Sequence, residues 1–229
     1  MNPALVPLVV VAGALGPLVE EVVFIGGAVA PLLQARSPFP RVRPTLDVDA
    51  VIASTQYADL ARLEHRLGAR GFRNDRSGPH LHRWLTPDGL PFDLVPVGSH
   101  LGGTGSPVEA AVIATAERLE IVPGLVIRHA SAPGFLALKW AAFQDRGKDD
   151  PLASHDLEDI LAVIASRETI VDEVTGAPGA LRREAVEGAR WLLKHPYGTD
   201  LLAAHLNHAQ AVAATVALVT ARLRAIGSA

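Results

Sequence analysis

The short apolar run Val22-Val23-Phe24-Ile25 stops at a glycine pair, Gly26-Gly27, and farther along Asp47-Val48-Asp49 sets two acids around one valine. In a strand successive side chains alternate between faces, so Asp47 and Asp49 point the same way instead of spreading around a helix. A third acid, Asp93, sits in another short apolar run, Pro91-Phe92-Asp93-Leu94-Val95-Pro96, which can pair beside the first. Three converging carboxylates repel one another unless a cation joins them. A glycine turn after a strand and before a helix offers backbone N–H groups to an anion. The combination suits a metal–triphosphate site, with Asp47, Asp49 and Asp93 on the metal and Gly26 and Gly27 on a phosphate. The plainer alternative is a pair of solvent-facing acids on an amphipathic strand, beside a tight turn that needs glycine dihedrals.

These residues, in this order, resemble the nucleotidyltransferase superfamily of DNA polymerase β. Its signature is a Gly-Gly or Gly-Ser turn, an acid-x-acid strand and a later single acid. Within it the chain is most similar to the AbiEii/AbiGii-type nucleotidyltransferases, many of them toxins of bacterial toxin–antitoxin pairs. Arg43 and Thr45 stand just before the paired acids, as in that group. Lys139-Trp140-Ala141-Ala142, Arg146-Gly147-Lys148 and His155-Asp156-Leu157-Glu158-Asp159 resemble its second half, so the likeness runs from about Val22 to Ile160. One departure is His155, at a position where the family often has a basic residue before its acid.

The resemblance implies an α+β fold: a small mixed β-sheet nucleotidyltransferase core flanked by helices, followed by a C-terminal helical bundle. It implies transfer of a nucleoside monophosphate from an NTP to an acceptor hydroxyl, with release of pyrophosphate. Mg2+ would serve, in a two-ion site of Asp47, Asp49 and Asp93, with Mn2+ as the alternative. Gly26, Gly27, Arg43, Thr45, Lys139 and Arg146 would bind the nucleotide, and Lys139 and Asp156 would join the catalytic set. Asp156 would aid base catalysis or orient Lys139. The structural reading of Asp156 and Asp159 is dipole stabilisation near a helix start, and that of Lys139 is an exposed, solvated face. The implied acceptor is the 3′ end of tRNA, and the implied partner an antitoxin protein. Two rival readings are transfer to a small molecule such as an aminoglycoside, and a catalytically degenerate binding protein.

Composition narrows the partners. A net charge of −3 with nine histidines carries no global basic signal, so any RNA must be met by a local patch. Arg70, Arg73, Arg76 and Arg83 are the densest candidates. The absence of cysteine excludes disulfides, thiolate metal sites and a cysteine nucleophile, and agrees with the expected cytoplasmic location. The apolar stretch 4–19 has no Lys or Arg before it, contains Pro7 and Pro17 and runs into Glu20-Glu21. It fits neither a spanning helix nor a signal peptide and is expected as a buried helix leading into the first strand, with no membrane partner.

The remaining pattern predicts strands over 22–25, 46–53, 81–85, 91–97 and 125–129. Helices are predicted over 28–35, 59–67, 108–119, 135–145, 153–166, 179–194 and 201–226. The β content stops near Pro133-Gly134, which divides the chain into a nucleotidyltransferase core, 1–133, and a helical domain, 134–229, expected to complete the active site. His80-Leu81-His82 would share a strand face, but with no third ligand at sensible spacing it reads as a surface strand. The glycine-rich stretch 99–106 lacks the Walker lysine and reads as a mobile loop.

Overall fold

The computed structural model describes residues 2–34, 45, 47–53, 56–75, 82–103 and 105–229. The chain forms two units, Met1–Val29 with Arg43–Ala130, and Ala30–Val42 with Ser131–Ala229. The α+β class expected from the sequence is the one observed. Arg43, Arg76 and His80 lie outside the described residues.

The first unit carries one mixed sheet. Its strands are β1 (Val22–Ile25), β2 (Val48–Ile52), β3 (Arg73–Asn74), β4 (Arg83–Leu85), β5 (Pro91–Pro96), β6 (Glu117–Val122) and β7 (Leu125–His129), in spatial order β3-β4-β5-β2-β1-β7-β6. The strands β1 and β2 are nearly all apolar and lie centrally, where both faces are covered. Of β2, only Asp49 escapes full burial. The strand β5 alternates, with Phe92, Leu94 and Pro96 buried and Asp93 on the opposite face.

Helix α1 (Val6–Leu15) buries Leu8, Val11, Ala12 and Leu15 and packs on β2 and β7. The wider segment Pro3–Glu21 is long and apolar enough to cross a membrane by length and composition alone. Within the first unit Leu18 and Val19 are buried as well, but only 33% of that span is buried, so the fully buried helix expected from the sequence is met in part. Helix α2 (Ala30–Leu33), after the glycine pair, is a single turn. Helices α3 (Tyr57–Ala69) and α4 (Pro107–Ala114) complete the flanks. The α4 start is capped by the Ser106 hydroxyl, which accepts from Val108 N, with Pro107 in the first turn.

The second unit is helical: it takes in α2 together with α5 (Ala132–Arg146), α6 (His155–Ser166), α7 (Ile170–Gly176), α8 (Gly179–Lys194), α9 (Gly198–His205) and α10 (Val212–Gly227). Its centre is an aromatic cluster in which Trp140, Phe143 and Trp191 stand 5.0–5.7 Å apart by ring centroids. A side chain at Gly188 would start 3.0 Å from the Trp140 ring, so glycine is what lets α8 approach α5 this closely. From α10, Arg222 donates to the carbonyls of Ile164 and Ala165 at 2.6 and 3.0 Å, satisfying acceptors that the end of α6 leaves open.

Four elements differ from the sequence expectation. The helix expected over 108–119 ends at Ala114, and Glu117–Val122 is an edge strand paired to β7. Its exposed Glu117, Arg118 and Glu120 look the same in a solvated helix turn, and only the partner strand decides. The helix expected over 201–226 is two helices, separated by turns at 206–211. Neither the two-residue strand β3 nor helix α7 was expected.

Candidate active site

The acids are brought together by sheet register. In the parallel pair of β2 and β5, Asp49 lies directly opposite Asp93, and in the antiparallel pair of β1 and β2, Ile25 lies opposite Asp49. Gly26 follows immediately, with φ +71°, and a side chain there would strike the Asp49 carboxylate. Glycine is required at this point for two reasons, the left-handed dihedral and the close approach of the acid. Gly27 begins a short 3-10 turn ahead of the single-turn α2, so the backbone here offers the turn's own N–H groups and little helix dipole. Asp47 sits in the bend before β2, where the Thr45 hydroxyl contacts its backbone oxygen at 3.1 Å and its Oδ1 at 3.2 Å. Thr45 therefore shapes the approach to the first acid.

A residue assigned from sequence to a surface patch occupies the middle of this site. Arg83 lies opposite Asp93 in the antiparallel register of β4 and β5. Its Nε and Nη2 donate to the two Asp93 oxygens at 2.8 and 2.7 Å, and Nη2 reaches Asp47 Oδ2 at 3.1 Å. The Asp93 hydrogen bond, followed by the charges of Asp93, Asp47 and Asp49, raises the guanidinium pKa against the opposing effect of burial.

Arg70, another member of the expected RNA patch, is exposed, with its Nε donating to the Ala14 carbonyl at 2.7 Å and its guanidinium packed over Gly16. Arg73 is exposed. His82 keeps a buried Nε2 with no hydrogen-bond partner among the described residues.

Among the described residues, no three His, Cys, Asp or Glu side chains stand together as a ready-made metal cage. Mg2+ does not need one. It takes hard oxygen donors and is commonly held by one or two carboxylates, with substrate phosphates and water filling the rest. Asp49 and Asp93 on neighbouring strands, with Asp47 in the bend just before β2, offer that donor chemistry.

Lys139, Arg146 and Asp156 meet in the second unit. The Lys139 Nζ lies 3.0 Å from Asp156 Oδ1 and 2.7 Å from Asp159 Oδ2, and the lysine is only 8% exposed. Arg146 donates to Asp156 at 2.9 and 3.1 Å from the solvent side. The exposed, solvated lysine of the sequence reading is thus a buried one. Burial alone would lower the Lys139 pKa, but the charges of Asp159 and Asp156 and their hydrogen bonds outweigh it and hold the pKa above its ordinary value. Burial likewise pushes the Asp156 carboxyl up, and Arg146 and Lys139 overcome that and hold it below the usual range. The start of α6 adds the Ser154 hydroxyl as a cap, accepting from Leu157 N at 3.3 Å.

No family model and no curated protein matches the chain. Among solved structures, an antigenic nucleotidyltransferase-like protein from Paracoccidioides brasiliensis is similar over 89% of this chain and 93% of that one, with TM-score 0.55 and 22% identity. The fold is nucleotidyltransferase-like. JHP933 from Helicobacter pylori matches at TM-score 0.48 with 16% identity, over 100% of this chain and 93% of its own. The antibiotic-resistance factor ANT(2'')-Ia matches at TM-score 0.47 with 11% identity, over 83% of this chain and 95% of its own. On the nucleotidyltransferase-like fold, the acid pair, the later acid and the glycine turn all fall within the first unit, around one end of β2.

Proposed function

We propose that this chain is a metal-dependent nucleotidyltransferase of the AbiEii/AbiGii type, moving a nucleoside monophosphate from an NTP to an acceptor hydroxyl. The observation that carries the reading is the register of β2 and β5, which sets Asp49 opposite Asp93 beside the Gly26 turn. In the transfer, the bond from the acceptor oxygen to the α-phosphorus forms as the bond to pyrophosphate breaks. Mg2+, or Mn2+, held by Asp47, Asp49 and Asp93, would lower the pKa of the attacking hydroxyl and stabilise the leaving pyrophosphate. Gly26 and Gly27 would present backbone N–H groups to a phosphate, with Thr45 keeping Asp47 in place. Asp93, the later acid, would take the acceptor proton. Arg43, Lys139 and Arg146 are carried as nucleotide ligands, and Asp156 as the residue orienting Lys139, on the family resemblance.

By the same resemblance the acceptor is the 3′ end of tRNA, the role that of a toxin, and the partner an antitoxin protein. One observation favours a second reading, transfer to a small molecule. Two of the four arginines expected to meet RNA, Arg70 and Arg83, spend hydrogen bonds within the first unit. The deciding experiment incubates the protein with each labelled NTP and Mg2+, beside total RNA in one arm and an aminoglycoside panel in the other. Label in RNA supports the tRNA reading, and label in the aminoglycoside moves the assignment to the small-molecule transferase. Label in neither, from a folded protein that binds no metal–triphosphate, overturns the enzyme reading. Asp49→Asn should lower transfer by at least about a hundredfold with the fold retained, and a near-normal rate for that variant removes the metal assignment.

A further inference from the structure

Arg83 makes the tightest polar arrangement in the acidic site, and the chemistry above leaves it without a role. Its planar fork grips both Asp93 oxygens at 2.8 and 2.7 Å and extends to Asp47 at 3.1 Å. The side chain is 19% exposed and that of Asp93 is 14% exposed, so water screens the pair only in part. Close carboxylates need a cation, and the guanidinium supplies one. A divalent ion at Asp93 would bind the same two oxygens beside a guanidinium that already engages both, so crowding and charge repulsion set the two cations in competition.

We propose that Arg83 is a resident counter-ion that competes with the divalent cation for Asp93 and Asp47 and, once displaced, binds a phosphate of the incoming nucleotide. This rests on the nucleotidyltransferase reading. The exchange is chemically even-handed, since a guanidinium fork fits phosphate oxygens as it fits a carboxylate, through two parallel N–H donors. Displacement by metal alone strands a partly buried guanidinium without its acceptors, so metal alone binds weakly. Metal arriving with a triphosphate brings replacement oxygens for the fork, so the two ligands bind together more tightly than either alone. Arg83 thereby couples metal binding to nucleotide binding, and by linkage the coupling is the same in both directions. It is a positioning and binding residue, and its first test needs no turnover.

Mn2+ binding to the full-length protein is measured by electron paramagnetic resonance, with and without a non-hydrolysable NTP analogue, for the wild type, Arg83→Gln and Arg83→Lys. Arg83→Gln should bind Mn2+ alone about tenfold more tightly than the wild type, while the enhancement by the analogue shrinks by a similar factor. Arg83→Lys keeps the charge without the fork and should fall between the two, which keeps the test decisive should the glutamine variant fail to fold. Wild-type Mn2+ binding with no tightening in either folded variant overturns the inference and leaves the nucleotidyltransferase reading standing. Tightened Mn2+ binding with an unchanged enhancement by the analogue overturns the phosphate role. Absence of Mn2+ binding in every protein, with the analogue present, overturns the metal-dependent reading and the inference together.

Discussion

Replacing Lys139 by methionine keeps the unbranched stem as far as Cε and removes the ammonium that joins Asp156 to Asp159. The lysine is 8% exposed, and its Nζ lies 3.0 and 2.7 Å from the two carboxylates. Removing one member of a buried ion pair costs roughly 3–5 kcal/mol, because a charge is left in the interior without its partner. The lower end applies, since Asp156 keeps Arg146 at 2.9 and 3.1 Å and the loss falls mainly on Asp159. About 3 kcal/mol is a shift of roughly 150-fold in the folding equilibrium, and roughly 10 °C in melting temperature for a unit of this size. Urea unfolding followed by tryptophan fluorescence reads it, with Trp140 and Trp191 in the second unit and Trp84 in the first reporting separately. The loss should appear in the signal of the second unit. Adding Asp159→Leu to Lys139→Met should restore much of it, because an apolar pair can replace a buried ion pair at little cost. A Lys139→Met protein within about 1 kcal/mol of wild type would refute the argument, since that is the size of an exposed pair.

Further outcomes follow from the same geometry. Gly26→Ala should lower nucleotidyl transfer sharply and destabilise the first unit by about 1–3 kcal/mol, since φ +71° disfavours a side chain and the new methyl meets the Asp49 carboxylate. Full activity and unchanged melting of that variant would show that the turn relaxes without cost. Asp156 has a folded pKa below its ordinary 3.8. Its contribution is therefore present above that value and lost as pH falls through the folded pKa, with a slope of at most about 1.4 kcal/mol per pH unit. Asp156→Asn should flatten this acid limb in urea titrations at successive pH values, and an unchanged slope would assign the acid loss elsewhere. The raised Lys139 acts at the other end, contributing fully below its ordinary 10.5 and losing its contribution as pH rises through the folded value. Lys139→Met should remove that alkaline limb.

Much of the acidic site could be read along the chain because its information is local. Period-two alternation marks Asp49 as the one acid of β2, whereas Asp47, expected on the same strand face, lies in the bend just before the strand. A single acid in the otherwise apolar Val48–Ile52 and another in Pro91–Pro96 stand out for the same reason. The change from strand to helical periodicity near Pro133 was also visible, and α5 begins at Ala132 under a Ser131 cap. Strand β7 and helix α8 run over the residues that the sequence pattern predicts.

Partners distant in sequence were decided by the tertiary structure. That Asp49 faces Asp93, and not its neighbour in register, is set by the parallel pairing of β2 with β5, and a one-residue slip would turn either acid to the other face. Arg83 looks like any solvent-facing arginine among Arg70, Arg73 and Arg76, and only the antiparallel register of β4 with β5 delivers its fork to Asp93. The spacing of Lys139, Phe143 and Arg146 is the same whether that helical face meets water or protein. The packing of α5 on α6 buries the lysine between Asp156 and Asp159, while Arg146 stays at the surface with a side chain 68% exposed. Local periodicity tells which side chains share a face, and long-range pairing tells what that face meets.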